Sequence, residues 1–172
     1  MPSAIIPTIA GHVAAAWTNA GIWTLTLPQA THQQALELLP PRHAGAPPAP
    51  ALLDDLTLRL QRYFKGDPVS FDDLPLDLSG VPPFRRAVLE TVRRIPRGHV
   101  RSYRDIAVAL GNPGAARAIG GAMANNPVCI IVPCHRVIAS NGRIGGFGGG
   151  LPMKQRLLDM ERGAPALAQA GA

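Results

Sequence analysis

The chain has 172 residues, of which 47% are hydrophobic and 16% charged, and it contains 18 Gly, 18 Pro and two Cys. This composition excludes a disordered polyelectrolyte and, without a Gly-X-Y period, a collagen, while the length suits one or two compact domains. Two cysteines are too few for a disulfide framework and no apolar run reaches the ~20 residues of a membrane span, so we expect an intracellular protein with no membrane partner. The sequence shows no targeting signal, which fits the bacterial cytoplasm as the expected location.

The charge is distributed unevenly along the chain. Residues 1–80 hold four basic and seven acidic side chains, a net charge of −3, whereas residues 81–172 hold thirteen basic and four acidic ones, a net charge of +9. Such a basic half, rich in Arg, is typical of proteins that bind polyanions such as nucleic acids. A solvated surface with no partner is the alternative interpretation.

The first half predicts a small sheet and one helix. Alternating residues over 13–27 predict two strands around a turn at 18–21. Five prolines in residues 40–50 predict an exposed linker. Apolar residues at helical spacing predict a helix over 52–64, and a short strand is expected at 71–78.

The second half predicts mainly helices. One helix opens at Pro82-Pro83 and closes before Pro96, and Ser102 with Asp105 forms a capping-box pattern that opens another over 103–110. A turn at 111–114 and a helix over 115–125 complete a helix-turn-helix pattern. A glycine-rich loop at 141–150 precedes a last helix over 152–161.

The second helix of the pair, AARAIGGAMAN, has almost no side-chain bulk apart from Arg117. Its two adjacent glycines cost a helix roughly 2 kcal/mol relative to alanine. Close helix–helix packing inside the protein is one explanation. The other is that the helix presses its backbone into a DNA minor groove, which is only ~6 Å wide.

The strongest chemical signal is the segment IVPCHRVI, which places Cys134 beside His135 between two apolar runs. Three interpretations compete for Cys134. The first is an inert core thiol, and the second is a zinc ligand, although no standard ligand spacing is present. The third is a nucleophile activated by the neighbouring imidazole.

IVPCHRVI, with GNPGAARAIGGAMANNP before it and GGFGGG after it, resembles the O6-alkylguanine-DNA alkyltransferases, also called methylated-DNA–protein-cysteine methyltransferases. The likeness runs from about Phe84 to Glu161. It implies an α+β protein in which a small N-terminal sheet-plus-helix domain (1–80) precedes a mainly helical, winged helix-turn-helix-like domain (81–163) that carries the active cysteine. A flexible tail (164–172) is expected to follow.

The resemblance implies direct-reversal DNA repair in which the protein is spent after one transfer. Cys134 would take the alkyl group from O6 of guanine, His135 would deprotonate it through a bound water, and Glu161 would orient His135. Asn126 would brace the cysteine turn, and Tyr103 would donate a proton to the departing guanine and help rotate its phosphate. O4-alkylthymine is the expected second substrate, and no metal or cofactor takes part.

The resemblance also implies contacts with double-stranded DNA. Arg117 would fill the gap left by a nucleotide flipped through the minor groove. The residues that would line that groove are Ala115, Ala116, Ala118 and Gly120. The residues that would wall the base pocket are Met123, Val137, Phe147 and Gly148, with the main-chain carbonyls of Cys134 and Val137 receiving the base edge.

Some family members bind zinc in the N-terminal domain, but residues 1–128 contain no Cys, so no such site is expected. Cys129 is expected near the pocket and unreactive. We expect a monomer, and the sequence leaves cooperative assembly on DNA open. A lesion-binding protein without transferase activity and a transcription regulator are the rival functions; the first lacks the acceptor cysteine, and the second needs more base-reading side chains than this helix offers.

Overall fold

The computed structural model describes residues 2–39 and 50–167, which form two units. The first unit comprises the chain up to Asp77 and the residues from Gly163 onward, and the second comprises Leu78–Arg162. Both helices and strands are present, which confirms the α+β class. The expected linker lies outside the described residues apart from Pro50, which is the first residue of a helix.

The first unit contains an antiparallel sheet of three strands, β1 (Ser3–Thr8), β2 (Gly11–Thr18) and β3 (Gly21–Leu25), in the order β1-β2-β3. The predicted strand pair is β2 and β3, and the register Thr18↔Gly21 confirms the turn. Strand β1 is not anticipated by the sequence analysis. It contains Pro7, which has no N–H to donate, and a proline is tolerated because β1 is at the sheet edge.

Two helices accompany the sheet. Helix α1 (His32–Glu37), also not anticipated, begins with a capping box between Thr31 and Gln34. Helix α2 (Pro50–Phe64) confirms the predicted amphipathic helix, and its buried residues are Leu56, Leu60, Tyr63 and Phe64.

Two expectations for the first unit are wrong. No strand forms at 71–78: the backbone makes one isolated bridge, Ile22↔Leu76, and since Pro75 cannot donate, the pairing does not extend. The tail is not free where the structure describes it, because Leu167 is buried and donates its backbone N–H to the carbonyl of Phe64. Residues 168–172 lie outside the described residues.

The second unit begins with helix α3 (Pro83–Arg93), which buries Val88, Leu89 and Val92. Helix α4 (Tyr103–Ala109) and helix α5 (Ala116–Ala124) follow and pack against each other and against α3. The predicted capping box is confirmed, since the Ser102 side chain accepts from the Asp105 N–H while the Asp105 carboxylate accepts from the Ser102 N–H. That this pair is a winged helix-turn-helix stays a prediction.

A short parallel bridge fixes the cysteine segment. Strand β4 (Arg101–Ser102) pairs with strand β5 (Val137–Ile138), which directly follows a single 3-10 turn, Cys134–Arg136. This pairing holds the cysteine next to the N-terminus of α4. Helix α6 (Gly150–Glu161) ends the unit and begins two residues earlier than predicted. None of the helices in residues 2–39 and 50–167 combines the length and apolar character that crossing a membrane requires.

Candidate active site

The site is built around a tight turn between α5 and the 3-10 turn, held by the side chain of Asn126. Its Nδ2 donates to the carbonyl of Val132 at 2.9 Å, and its Oδ1 accepts from the N–H of Val128 at 3.0 Å. Within this turn Ile130 adopts a left-handed φ of 71°. This conformation is strained for a β-branched residue, so the surrounding hydrogen bonds must hold it in place.

The thiol of Cys134 is buried at the end of this turn. Asn126 Nδ2 lies 3.3 Å from its Sγ, and Cys129 Sγ lies 3.8 Å from the carbonyl oxygen of the same Asn126. The hydrogen bond from Cys129 lowers the pKa of Cys134, and the Asn126 amide and the positive charge of Lys154 lower it further, against the opposing effect of burial. A thiol with a lowered pKa is more often a thiolate, which is the nucleophilic form.

Behind the thiol, three side chains form a buried charged cluster. Glu161 Oε1 lies 2.9 Å from His135 Nε2 and 2.8 Å from Arg136 Nη2, and Glu161 Oε2 lies 2.9 Å from Arg136 Nε. Burial would raise the pKa of Glu161, but its hydrogen bonds to His135 and Arg136 hold it well below its usual range. Burial lowers the pKa of His135, so the imidazole is neutral at pH 7 and able to accept a proton.

Lys154 is a functional candidate that sequence reasoning missed. It is fully buried, and its Nζ donates to the main-chain carbonyls of Val137 and, at 3.2 Å, Gly146. Burial lowers its pKa to about 8. Lys154 precedes Glu161 by seven residues, two turns of α6, and this spacing on one helix face was the signal available in the sequence. Arg136, the partner of Glu161, was also missed.

Cys134 lines a cavity of about 480 Å³, a volume within the usual range for small-molecule sites. Its wall is formed by Tyr103, Ala116, Arg117, Gly120, Met123, Ala124, Cys134, Gly146, Phe147 and Gly148. The structure thus brings most of the predicted DNA and pocket residues to one cavity. Ala115, Ala118 and Val137 do not line it. Asn126 contacts Cys134 from outside this lining, and His135 and Glu161, which contact each other, are outside it as well.

The loop that carries Phe147 is held against Tyr103. The hydroxyl of Tyr103 donates to the carbonyl of Gly146 at 3.3 Å. Gly145 has a φ of 69°, and a Cβ there would lie 3.1 Å from Cε2 of Tyr103. Only glycine meets both conditions without strain, so Gly145 allows the loop to lie against Tyr103.

The thin surface of α5 is open. Arg117, Ala118 and Gly121 are exposed, and a Cβ on Gly120 or Gly121 would meet nothing within 4 Å. Internal packing therefore does not require these glycines, and the first explanation considered for them is wrong.

In residues 2–39 and 50–167 no group of three or more His, Cys, Asp or Glu side chains is placed to hold a metal ion.

Comparisons with known proteins agree on one family. The model of the 6-O-methylguanine DNA methyltransferase DNA-binding domain matches residues 83–163. A methylated-DNA–protein-cysteine methyltransferase of Mycobacterium bovis is 45% identical over 120 residues, which are 69% of this chain and 72% of that protein. The chain belongs to the methylated-DNA–protein-cysteine methyltransferase family.

Other members and a solved structure extend the likeness. The methyltransferase of Mycolicibacterium paratuberculosis is 50% identical over 104 residues, covering 60% of this chain and 62% of that relative. The crystal structure of Mycobacterium tuberculosis OGT in complex with DNA has a TM-score of 0.79 at 36% identity and covers 96% of both chains. The fold of this methyltransferase is therefore similar, in each of its two units, to that of a protein whose crystal structure was determined in complex with DNA.

Proposed function

We propose that this methyltransferase repairs double-stranded DNA by moving the alkyl group of O6-alkylguanine, and of O4-alkylthymine, onto Cys134 in a single turnover. The observation that carries the proposal is the position of the Cys134 thiol, with its lowered pKa, on the wall of the cavity shared with Tyr103, Arg117, Met123 and Phe147. A nucleophile at the end of a base-sized cavity is what an alkyl acceptor needs.

The reaction is one displacement at the alkyl carbon. The Cys134 thiolate forms a carbon–sulfur bond as the bond between the alkyl carbon and guanine O6 breaks, and the electron pair of that bond moves into the guanine. Tyr103 donates a proton to the departing base. Burial raises the pKa of Tyr103, so its hydroxyl carries the proton at neutral pH. The thioether is not hydrolysed, which makes the protein a single-use reagent.

His135 takes the proton of Cys134, through a water molecule, and Glu161 holds the imidazole in position. The support is the 2.9 Å contact between Nε2 and Oε1 and the neutral imidazole that burial favours. Arg136 balances the charge of Glu161, so the carboxylate does not oppose formation of the nearby thiolate.

The helix-turn-helix of α4 and α5 approaches the minor groove of DNA as part of a winged helix-turn-helix domain, with α5 against the duplex. The open glycines of α5 and the exposed Ala118 leave room for close backbone approach. Ala115, Ala116 and Gly120 share this surface. Arg117 inserts into the stack and replaces the flipped nucleotide, whose extrusion costs a few kcal/mol. The net charge of +9 on residues 81–172 supports phosphate contacts.

Intact-mass measurement after incubation with a duplex that carries O6-methylguanine tests the reaction. The expected result is one added methyl group, located on Cys134 and absent from Cys134→Ser; a second duplex with O4-methylthymine tests the other substrate. If the protein binds either lesion tightly and its mass does not increase, this proposal is wrong and the lesion-binding function takes its place.

The role of Arg117 is tested separately. Arg117→Ala should slow transfer from duplex DNA far more than transfer from free O6-methylguanine base, because the free base needs no flipping. Arg62→Ala, which removes the same charge from the acidic half, is the matched control and should slow neither. Equal losses on both substrates for Arg117→Ala would show that Arg117 acts in some other way.

A further inference from the structure

Cys129 and Cys134 contact the same residue, Asn126, although four residues separate them in the chain. The turn of residues 126–132 brings them together: Val132 donates to the carbonyl of Val128 at 3.0 Å, and Cys129 forms an isolated bridge with Val132. Both sulfurs contact Asn126, since Cys129 Sγ lies 3.8 Å from its carbonyl oxygen and Cys134 Sγ lies 3.3 Å from its Nδ2.

The two thiols differ in their readiness to ionise. The contact with Cys134 raises the pKa of Cys129 well above its usual value, and the same contact lowers the pKa of Cys134. A thiolate reacts with peroxides and a thiol does not, so Cys134 is the sulfur that is oxidised first. The cavity that it lines is open to a molecule as small as hydrogen peroxide.

We propose that hydrogen peroxide converts Cys134 and Cys129 into a reversible disulfide, with Cys134 as the oxidised sulfur and Cys129 as the resolving thiol. The disulfide itself does not depend on the proposed function. Its consequence, reversible loss of alkyl transfer, rests on the proposed function.

The chemistry balances in two steps. The Cys134 thiolate attacks one oxygen of hydrogen peroxide, the O–O bond breaks, and a sulfenic acid and hydroxide form. The sulfur of Cys129 then attacks the sulfenic sulfur, the S–S bond forms, and the S–O bond breaks to release water. The peroxide is reduced by two electrons and the two thiols are oxidised by two; a small dithiol reductant reverses the change.

This pairing preserves a protein that is used only once. Without a nearby thiol, a sulfenic acid on Cys134 proceeds to sulfinic and sulfonic acids, which thiol reductants do not reverse. The alkyl acceptor would then be lost without repairing any DNA. Cys129 intercepts the sulfenic acid and keeps Cys134 recoverable.

The test treats the reduced full-length protein with a small excess of hydrogen peroxide, removes the peroxide and measures intact mass and free thiols. We expect a mass lower by two hydrogen atoms and the loss of both thiols. Both cysteines fall in one tryptic peptide, residues 118–136, so the bond is located by fragmenting that peptide. Cys134→Ser under the same treatment should keep Cys129 reduced.

Recovery distinguishes a resolving thiol from a bystander. After dithiothreitol, the wild type should regain most of its own untreated alkyl transfer, whereas Cys129→Ser and Cys129→Ala should regain less than about a fifth of theirs and carry oxygen on Cys134. Three results would overturn the proposal. They are sulfinic acid on wild-type Cys134 while Cys129 keeps a free thiol, a disulfide between two protein molecules, and equal recovery of alkyl transfer in the wild type and the Cys129 variants. If the untreated wild type transfers no alkyl group, the proposed function fails, and the masses still decide the disulfide.

Discussion

The replacement Glu161→Gln tests how far the buried charge cluster holds the second unit together. The Glu161 carboxylate accepts from His135 and twice from Arg136, and its Oε2 lies 3.4 Å from the N–H of Gly98. Arg136 is itself 9% exposed. Glutamine has nearly the same shape but no charge, so it leaves the Arg136 guanidinium buried without a counter-ion.

Breaking one partner of a buried ion pair costs about 3–5 kcal/mol. In a chain of this size each kcal/mol lowers the melting temperature by about 2–4 °C. The expected decrease for Glu161→Gln is therefore roughly 6–20 °C. This loss is a large share of the total stability of a typical protein, about 5–15 kcal/mol.

Thermal unfolding followed by circular dichroism measures the effect, and Asp159→Asn is the matched control. Asp159 is on the same helix, α6, where its carboxylate accepts only an exposed hydrogen bond from Gln155 at 2.8 Å. The control should change the melting temperature by less than about 2 °C. A Glu161→Gln decrease no larger than that of the control would refute the argument that the cluster contributes through charge.

Two further predictions concern the pocket. Lys154→Met should raise the pKa of Cys134, moving the thiolate absorbance and the transfer rate to higher pH. The wild type should become more stable as the pH rises above about 8, because the folded state has then released the Lys154 proton and the unfolded state has not. Lys154→Met should abolish this gain in stability. Gly145→Ala should lower the free energy of unfolding, measured with a denaturant, by about 1–3 kcal/mol, because an alanine there has a strained backbone and its Cβ meets Tyr103. In the control Gly148→Ala the new Cβ has open space, so the loss should be less than about 1 kcal/mol. Equal losses in the two variants would contradict this prediction.

Local patterns predicted a helix correctly where the sequence marks its apolar face and both of its ends. Helix α4 is an example, because Ser102 and Asp105 mark its start and the glycine and proline after it mark its end. Residues 3–8 and 71–78 each contain a proline, and its effect depends on the whole sheet rather than on neighbouring residues. Pro7 is tolerated because β1 is at the sheet edge, whereas Pro75 has no N–H to extend the bridge between Ile22 and Leu76.

The candidate site, too, could be predicted from the sequence only in part. The motif around Cys134 indicated the proposed acceptor and the neighbouring His135, but not the interaction between Cys129 and Cys134. That contact depends on the left-handed φ of Ile130, which local propensity disfavours for isoleucine. The hydrogen bonds of Asn126 with Val128 and Val132 stabilise this turn, and they join residues whose contact the local sequence does not indicate.

Helix α6 carries both the carboxylate that contacts His135 and the cation that favours the Cys134 thiolate. A carboxylate orients His135, the proposed base, yet a negative charge near Cys134 disfavours the thiolate. The helix places Glu161 and Lys154 seven residues apart on one face, and Arg136 neutralises Glu161 while Lys154 remains to favour the thiolate. Because Lys154 also donates hydrogen bonds to the carbonyls of Val137 and Gly146, the same side chain links the cysteine segment to the pocket loop. A change in that loop should therefore alter the ionisation of Cys134 as well as the shape of the cavity.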